Sequence, residues 1–208
     1  MKLYYFETLN PRKVCAVAKY LKLPVEYVRV DLGKGEHRTA EFRAINPNGK
    51  VPALSDGETN MWESNAIMCY LAKKAGSDLW PGDDARRIDV IRWLSWDSLH
   101  FTRHGGNLYF EHIIKRKFAL GDPDPATVAE ATKYFRQYAA VLDSHLRGRK
   151  YLIGDGLTVA DFAVAATLPY AEDARLPLAD FPEILRWHGR MNELEAWREP
   201  YPAMAETA

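Results

Sequence analysis

Cysteine is scarce in this chain. Cys15 and Cys69 are its only two in 208 residues, too few for a disulfide framework and with no C-x-x-C spacing. Both fall in predicted amphipathic helices and read as buried, reduced small hydrophobes, which fits a reducing cytoplasm. Excess charge is missing as well. Lys+Arg and Asp+Glu each number 28, the formal net charge is zero and the pI is near 7. That balance gives no electrostatic reason to expect a nucleic acid or an anionic membrane as partner. No apolar run reaches the roughly 18 residues of a membrane span, and the first residues, MKLYYFETL, lack a signal-peptide core. Walker loop, G-x-G-x-x-G, G-x-S-x-G and zinc-ribbon spacings are absent, as are internal repeats and low-complexity stretches. What remains is 47% apolar and 12% aromatic, enough to build the core of one large or two small domains.

The first third alternates strand and helix signals. Lys2–Phe6 and Val25–Val30 read as strands. Between them Val14, Val17, Ala18 and Leu21 recur at helical spacing, with Asn10 expected at the cap and Pro11 at the first helical position. Strand, helix, strand implies a parallel pair with a right-handed crossover. A short helix over Arg38–Ile45, brief strands at Val51–Leu54 and Met61–Trp62, and a helix over Ala66–Lys74 complete the unit. Turn-rich residues 78–85 read as a linker between residues 1–77 and 86–208. Beyond the linker every strong pattern is helical. One helix is expected over Ala85–Leu99, with a break at Gly105-Gly106 if it runs further. Another starts at His112, a third covers Ala126–Leu146, and a fourth opens at Thr158-Val-Ala-Asp161. That last tetrapeptide is a capping box, read as structural.

Two neighbouring motifs carry the functional signal. In Asn46-Pro-Asn-Gly-Lys50-Val51-Pro52, the Val-Pro bond has no place inside a central strand, because proline cannot donate to the ladder. At an edge, and cis, it turns the chain while leaving the amide and carbonyl of Val51 able to take a short peptide as an added strand. Glu63-Ser64 then opens a helix whose N-terminus attracts a carboxylate. Ile67 stands three residues after Ser64, so no side chain closes a capping box there and the amides stay available. Together these elements describe a receptor for a small peptide with an anionic end.

On these residues the chain resembles the cytosolic glutathione transferases, bacterial members with a theta- or nu-like site in particular. The resemblance implies an α/β thioredoxin-like N-terminal domain followed by an all-α helical bundle as the C-terminal domain. It also implies glutathione as co-substrate with no further cofactor, and a homodimer. Thr8-Leu9-Asn10 is similar to the Thr-x-Asn of nu-like members, and Thr8 aligns with the catalytic serine of theta-like members when Val14 is the anchor. Thr8 would donate its hydroxyl, and Asn10 its amide, to the glutathione thiolate. A free thiol has a pKa near ~8.5, and lowering it by about 2 units requires roughly 2.7 kcal/mol. Donors aimed at the sulfur and a nearby helix N-terminus can supply that amount. The alternative is that Asn10 only caps its helix and Thr8 is a turn residue. By the same resemblance Val51 pairs with the cysteinyl residue and Pro52 is cis. Ser64 binds the γ-glutamyl carboxylate and Glu63 its ammonium, while Lys50 and His37 meet the glycine carboxylate. His37 reads equally as a solvated loop residue. No tyrosine or cysteine occupies the turn itself, although Tyr4 and Tyr5 precede it.

A small hydrophobic electrophile would lie against the first helix of the second domain. Trp93, Trp96, His100, Phe101, His104 and Tyr109 form an aromatic stripe there, open to two readings: packing, or a pocket to which Trp96, Arg103 and His104 contribute. His100 and His104, four apart, lack a clear third metal ligand. Three functions remain: conjugation of glutathione, a nu-like glutathione-dependent peroxidase or disulfide reductase, and a noncatalytic glutathione-binding module.

Overall fold

A computed structural model describes residues 1–202. They divide into two units, one of residues 1–77 together with the stretch from Glu193 onward, the other of residues 78–192.

The first unit is built on a four-stranded sheet in the order β2-β1-β3-β4. Strand β1 (Lys2–Tyr5) pairs in parallel with β2 (Glu26–Arg29) and antiparallel with β3 (Ala53–Asp56), which pairs antiparallel with β4 (Thr59–Trp62). Helix α1 (Leu9–Tyr20) makes the expected crossover, α2 (Ala40–Ile45) follows a single 3-10 turn, and α3 (Ser64–Lys74) follows β4. Alternation along the strands sorts the residues by face. Tyr4 and Ala53 meet Phe42 and Ile45 of α2. Leu3 and Leu54, register partners, turn to the opposite face and are buried, as are Val14 and Val17 of α1 and Ile67, Met68 and Leu71 of α3. The start of α1 differs from the expectation. Thr8, not Asn10, is the cap, so Asn10 lies inside the first turn and Pro11 one residue further on.

The second unit is helical throughout. Asp83 caps α4 (Asp84–Trp96) by accepting from the Arg86 amide at 2.8 Å. The expected break at Gly105-Gly106 does not occur. The helix widens into a π turn at Asp97–Phe101, continues as α5 (Thr102–Tyr109), widens again at Phe110–Ile114 and ends with α6 (Lys115–Lys117). Gly105 serves packing instead: a Cβ there would lie 3.0 Å from Thr167 Cγ2 and 3.1 Å from Phe135 Cε2. Helix α7 (Pro125–Leu146) starts at Asp124, whose carboxylate accepts from the Ala126 and Thr127 amides, with Pro125 where no amide is needed. Helices α8 (Val159–Val164) and α9 (Pro182–Met191) complete the unit around a core of Phe101, Leu108, Phe135, Phe162 and Trp187. The capping box at Thr158 is formed, and Asp161 at its far end is fully buried. Its carboxylate accepts from Leu152 N (3.0 Å), Thr158 N (2.9 Å), Thr158 Oγ1 (3.1 Å) and Trp187 Nε1 (3.2 Å).

The last described segment departs from the division read in the sequence, which gave 86–208 to the helical domain. From Glu193 the chain packs with the first unit. Helix α10 (Glu195–Arg198) buries Trp197 completely, and Arg12 of α1 both donates to the Trp197 carbonyl (2.6 Å) and lies over its ring (5.0 Å). Residues 203–208 of the expected domain lie outside the described residues. Among the described residues no helix is long and apolar enough to cross a membrane.

Candidate active site

The first unit carries an open pocket of about 340 Å³ lined by Asn10, Asn46, Asn48, Lys50, Val51, Pro52, Glu63 and Ser64. Six of these were expected from the sequence; Asn46 and Asn48 were not.

Its floor is the loop before β3. Asn46 is 2% exposed, and its side chain spans the loop. Nδ2 donates to the Lys50 carbonyl at 2.6 Å, and Oδ1 accepts from the Asn48 amide and from Asn48 Nδ2, both at 3.0 Å. The Gly49 amide returns to the Asn46 carbonyl (2.9 Å). Gly49 has φ +58, and a Cβ on it would stand 3.0 Å from the His37 carbonyl, so only glycine fits. This Asx turn sets Lys50, exposed, and Val51 at the pocket. The Val51–Pro52 bond is cis. Because β3 begins at Ala53, Val51 lies beyond the ladder, and among the described residues no backbone–backbone hydrogen bond uses its amide or carbonyl.

The opposite wall is the start of α3. Glu63 turns the chain from β4 into this helix at φ 69 and ψ 113, a strained conformation for a residue with a side chain, costing on the order of 1–3 kcal/mol. No side chain caps α3 and its first turn carries no acid. The helix therefore presents its N-terminal amides and the positive end of its dipole to the pocket. Ser64 is 8% exposed, and its hydroxyl lies 3.5 Å from Asn10 Oδ1, an orientation that leaves the NH2 of Asn10 to donate elsewhere. Beneath, Lys13 is 3% exposed and donates to Asn65 Oδ1 at 2.8 Å, placing a cation beside the α3 N-terminus. Glu63 is exposed at the rim. An anionic group at the helix start, an ammonium at Glu63, an extended backbone along Val51 and a second anion at Lys50 are what these walls can hold.

Two expected residues stand outside this lining. His37 accepts from Arg38 Nε through Nε2 (3.2 Å). Burial, then the cations of Arg38 and Arg43, hold its pKa below the usual range. Thr8 caps α1 with its backbone only. Its hydroxyl has one long contact, 3.5 Å to the Phe6 carbonyl. A threonine cap ordinarily accepts from the second or third helical amide, and here the third is Pro11, which has none. Tyr5 does not line the pocket. It is 5% exposed, edge-on to Tyr27 and stacked on Tyr201. Burial raises the Cys15 thiol far out of the neutral range and pushes half-buried Cys69 up to about 12, so neither is a nucleophile.

In the second unit the aromatic stripe separates into two sets. Trp93, Phe101 and Tyr109 are core. Trp96, His100 and His104 are half-buried and join Tyr134 and Tyr138 of α7 in a ladder. Trp96 is edge-on to Tyr138 (6.2 Å), His100 stacks on Tyr138 (4.5 Å), and His104 stacks on Tyr134 (5.0 Å) and Tyr138 (5.7 Å). Burial, then Arg103, lowers the pKa of His104, while Arg103 itself is exposed beside the ladder. The i, i+4 spacing of Tyr134 and Tyr138 was the sequence signal for this second rail. Among the described residues no group of three or more His, Cys, Asp or Glu is placed to hold a metal ion.

A thioredoxin-like sheet unit with a peptide-edge pocket, followed in sequence by an all-helical unit, defines the class: a glutathione transferase fold. Comparison with known proteins agrees. Residues 1–73 match the model of the glutathione S-transferase N-terminal domain, and residues 107–195 that of the C-terminal domain. Glutathione S-transferase 3 of Zea mays is 37% identical over 186 residues, covering 86% of this chain and 82% of the relative. Glutathione S-transferase GstB of Escherichia coli is 31% identical over 194 residues, 91% of each chain. Among solved structures, a glutathione transferase family member from Pseudomonas fluorescens with two glutathiones bound superposes with a TM-score of 0.84 at 27% identity, covering 96% of this chain and 91% of that one. Glutathione S-transferase-I bound with lactoylglutathione gives 0.86 at 25%, covering 96% and 97%. The chain belongs to the glutathione S-transferase family and is a glutathione transferase enzyme.

Proposed function

We propose that this pocket binds glutathione and that Thr8 and Asn10 donate hydrogen bonds to its sulfur, holding it as the thiolate that attacks a small hydrophobic electrophile. The observation that carries the reading is the pocket's composition: the Val51 edge, the uncapped start of α3 at Ser64, Glu63, Lys50 and the amide of Asn10 face one space. The γ-glutamyl carboxylate sits on the α3 amides and Ser64, its ammonium on Glu63, the cysteinyl backbone on Val51, and the glycine carboxylate on Lys50. The Thr8 hydroxyl, which Pro11 deprives of a capping partner, and the Asn10 NH2 then serve the sulfur. Neither acts as a base. With an aryl halide, sulfur forms the new C–S bond and the halide leaves with the electron pair of the bond that breaks. No cofactor beyond glutathione is invoked.

A second reading has its own support. Relatives from Pseudomonas fluorescens and Burkholderia graminis, both 27% identical, hold two glutathiones, in the latter case per subunit. Two thiols can give up two electrons and two protons to form one disulfide, reducing a hydroperoxide to alcohol and water. The same donors would serve that chemistry.

Turnover with an aryl halide, cumene hydroperoxide and a mixed disulfide separates the readings. Thr8→Ala is expected to lower kcat by about tenfold or more with little change in glutathione KM, and Thr8→Ser to retain most of it. Substitutions that change affinity alone contradict the donor role. Activity confined to hydroperoxide or disulfide selects the second reading, and failure of glutathione to raise the melting temperature removes both.

A further inference from the structure

The segment after Glu193 is strapped along α1 in the reverse direction. Lys19, near the end of α1, pairs with Glu195 (3.1 Å) and donates to the Glu199 carbonyl (2.9 Å). Arg12, in its middle, holds the Trp197 carbonyl and ring. At its start, the Tyr201 hydroxyl donates to the carbonyl of Thr8 at 3.1 Å, while its ring stacks on Tyr5 at 5.7 Å and 22°. Near its described end the strap is thus fastened to the backbone of Thr8, whose hydroxyl has only a long contact to the Phe6 carbonyl.

We infer that Tyr201 is a positioning residue for the reaction: by gripping the Thr8 carbonyl it fixes the turn that aims the Thr8 hydroxyl at the glutathione sulfur. Three features carry this. The Thr8 hydroxyl has no cap bond and only a long 3.5 Å contact to the Phe6 carbonyl, so the backbone chiefly sets its direction. That backbone is extended (φ −141, ψ 172) and held through its carbonyl by two donors, the Arg12 amide at 3.1 Å and Tyr201. The Arg12 bond belongs to the first turn of α1 and moves with it, whereas the Tyr201 bond ties the turn to a separate segment. Tyr201 also lies outside the pocket lining, so its loss should spare glutathione binding and act on the sulfur.

The inference rests on the Thr8 donor reading, and the test keeps the two apart. In the 208-residue protein Tyr201→Phe keeps the ring stacked on Tyr5 and removes the hydroxyl that donates to Thr8. One neutral hydrogen bond corresponds to roughly a two- to tenfold effect. The expectation is a fall in kcat of that size with an aryl halide, an upward shift in the pKa of bound glutathione read from the pH profile and thiolate absorbance, and an unchanged KM for glutathione. In a Thr8→Ala background the same change should add nothing, because the hydroxyl it positions is gone. If Thr8→Ala raises the bound-thiol pKa and Tyr201→Phe does not, the positioning role is wrong and the donor reading stands. An equal further loss in the double variant means that Tyr201 acts other than through Thr8, and overturns the inference. If Thr8→Ala itself leaves the thiol pKa and kcat unchanged, both fall.

Discussion

Asn46→Ala should weaken glutathione binding while leaving the chemical step alone. Asn46 contributes nothing that reacts. It is 2% exposed and ties the loop in front of β3 through the Lys50 carbonyl and the Asn48 amide. Two such bonds are worth about 0.5–1.5 kcal/mol each, so the variant loses roughly 1–3 kcal/mol of loop order. A ligand that needs Lys50 and Val51 in register must then supply that order on binding. At 1.4 kcal/mol per tenfold, the dissociation constant for glutathione rises by roughly five- to a hundredfold. Titration calorimetry measures that number directly, and kcat at saturating glutathione should stay within about twofold because Thr8 and Asn10 lie at the start of α1, on a separate segment from the loop. Asn46→Asp is a sharper control. It keeps an acceptor for the Asn48 amide but turns a second oxygen toward the Lys50 carbonyl, so it should rescue little. An unchanged dissociation constant, or a collapse of kcat at unchanged affinity, would refute the idea that the Asx turn positions the ligand's binding edge.

Asp161 supplies a stability test with a pH signature. Asp161→Asn leaves the buried Thr158 amide facing an NH2 group or strips the other oxygen's donors, costing about 2–4 kcal/mol, a fall in melting temperature of roughly 4–16 °C for a chain of this size. Burial pushes the Asp161 carboxyl up to about 6 against its four donors. Since the folded value lies above the unfolded value near ~3.9, the folded state holds the extra proton between about pH 4 and 6. Stability should therefore fall as pH rises through that window, by up to about 3 kcal/mol, and denaturation curves of Asp161→Asn should lack that slope. Two glycines in helices should give opposite signs. Gly189→Ala meets nothing within 4 Å and should stabilise by about 0.5–1 kcal/mol through helix propensity. Gly105→Ala meets Thr167 and Phe135 at 3.0–3.2 Å and should destabilise by about 1–2 kcal/mol net. Matching signs in thermal melts would contradict the packing argument.

Most of the first unit was legible because its signals are local. Val14, Val17 and Ala18 fall on one face of α1, and Glu63 precedes its helix directly. Strand ends shifted by one or two residues, since the ladder register that ends β3 at Asp56 is decided by its partner, not by its own residues. In the second unit Gly105-Gly106 reads as a breaker because glycine is costly in a free helix. Only the arrival of Phe135 and Thr167 from distant segments turns the missing side chain into an advantage. The attachment of residues from Glu193 onward to the first unit is of the same kind. Nothing around Trp197 announces that Arg12, 185 residues earlier, will hold its carbonyl.

Asn48 and Asn46 were within reach. Asn-Pro-Asn-Gly is turn chemistry, and an asparagine two residues before another turn residue is the pattern of an Asx turn. What the sequence could not show was that Asn46 would be buried beneath the pocket. The opposite case is Thr8-Leu9-Asn10-Pro11. Asparagine and threonine are both good caps, and proline's preference for the first helical position tips the choice toward Asn10. The chain takes Thr8 instead, which puts proline where the cap's hydroxyl would find its amide. Pro11 still presets the helical φ, so the helix keeps its start while the Thr8 oxygen accepts from no helix amide. A residue chosen only to begin a helix would have its side chain bonded to that helix. The missing cap bond leaves the Thr8 oxygen without a helix amide and its O–H with only a 3.5 Å contact to the Phe6 carbonyl, which argues for ligand chemistry at Thr8 over capping.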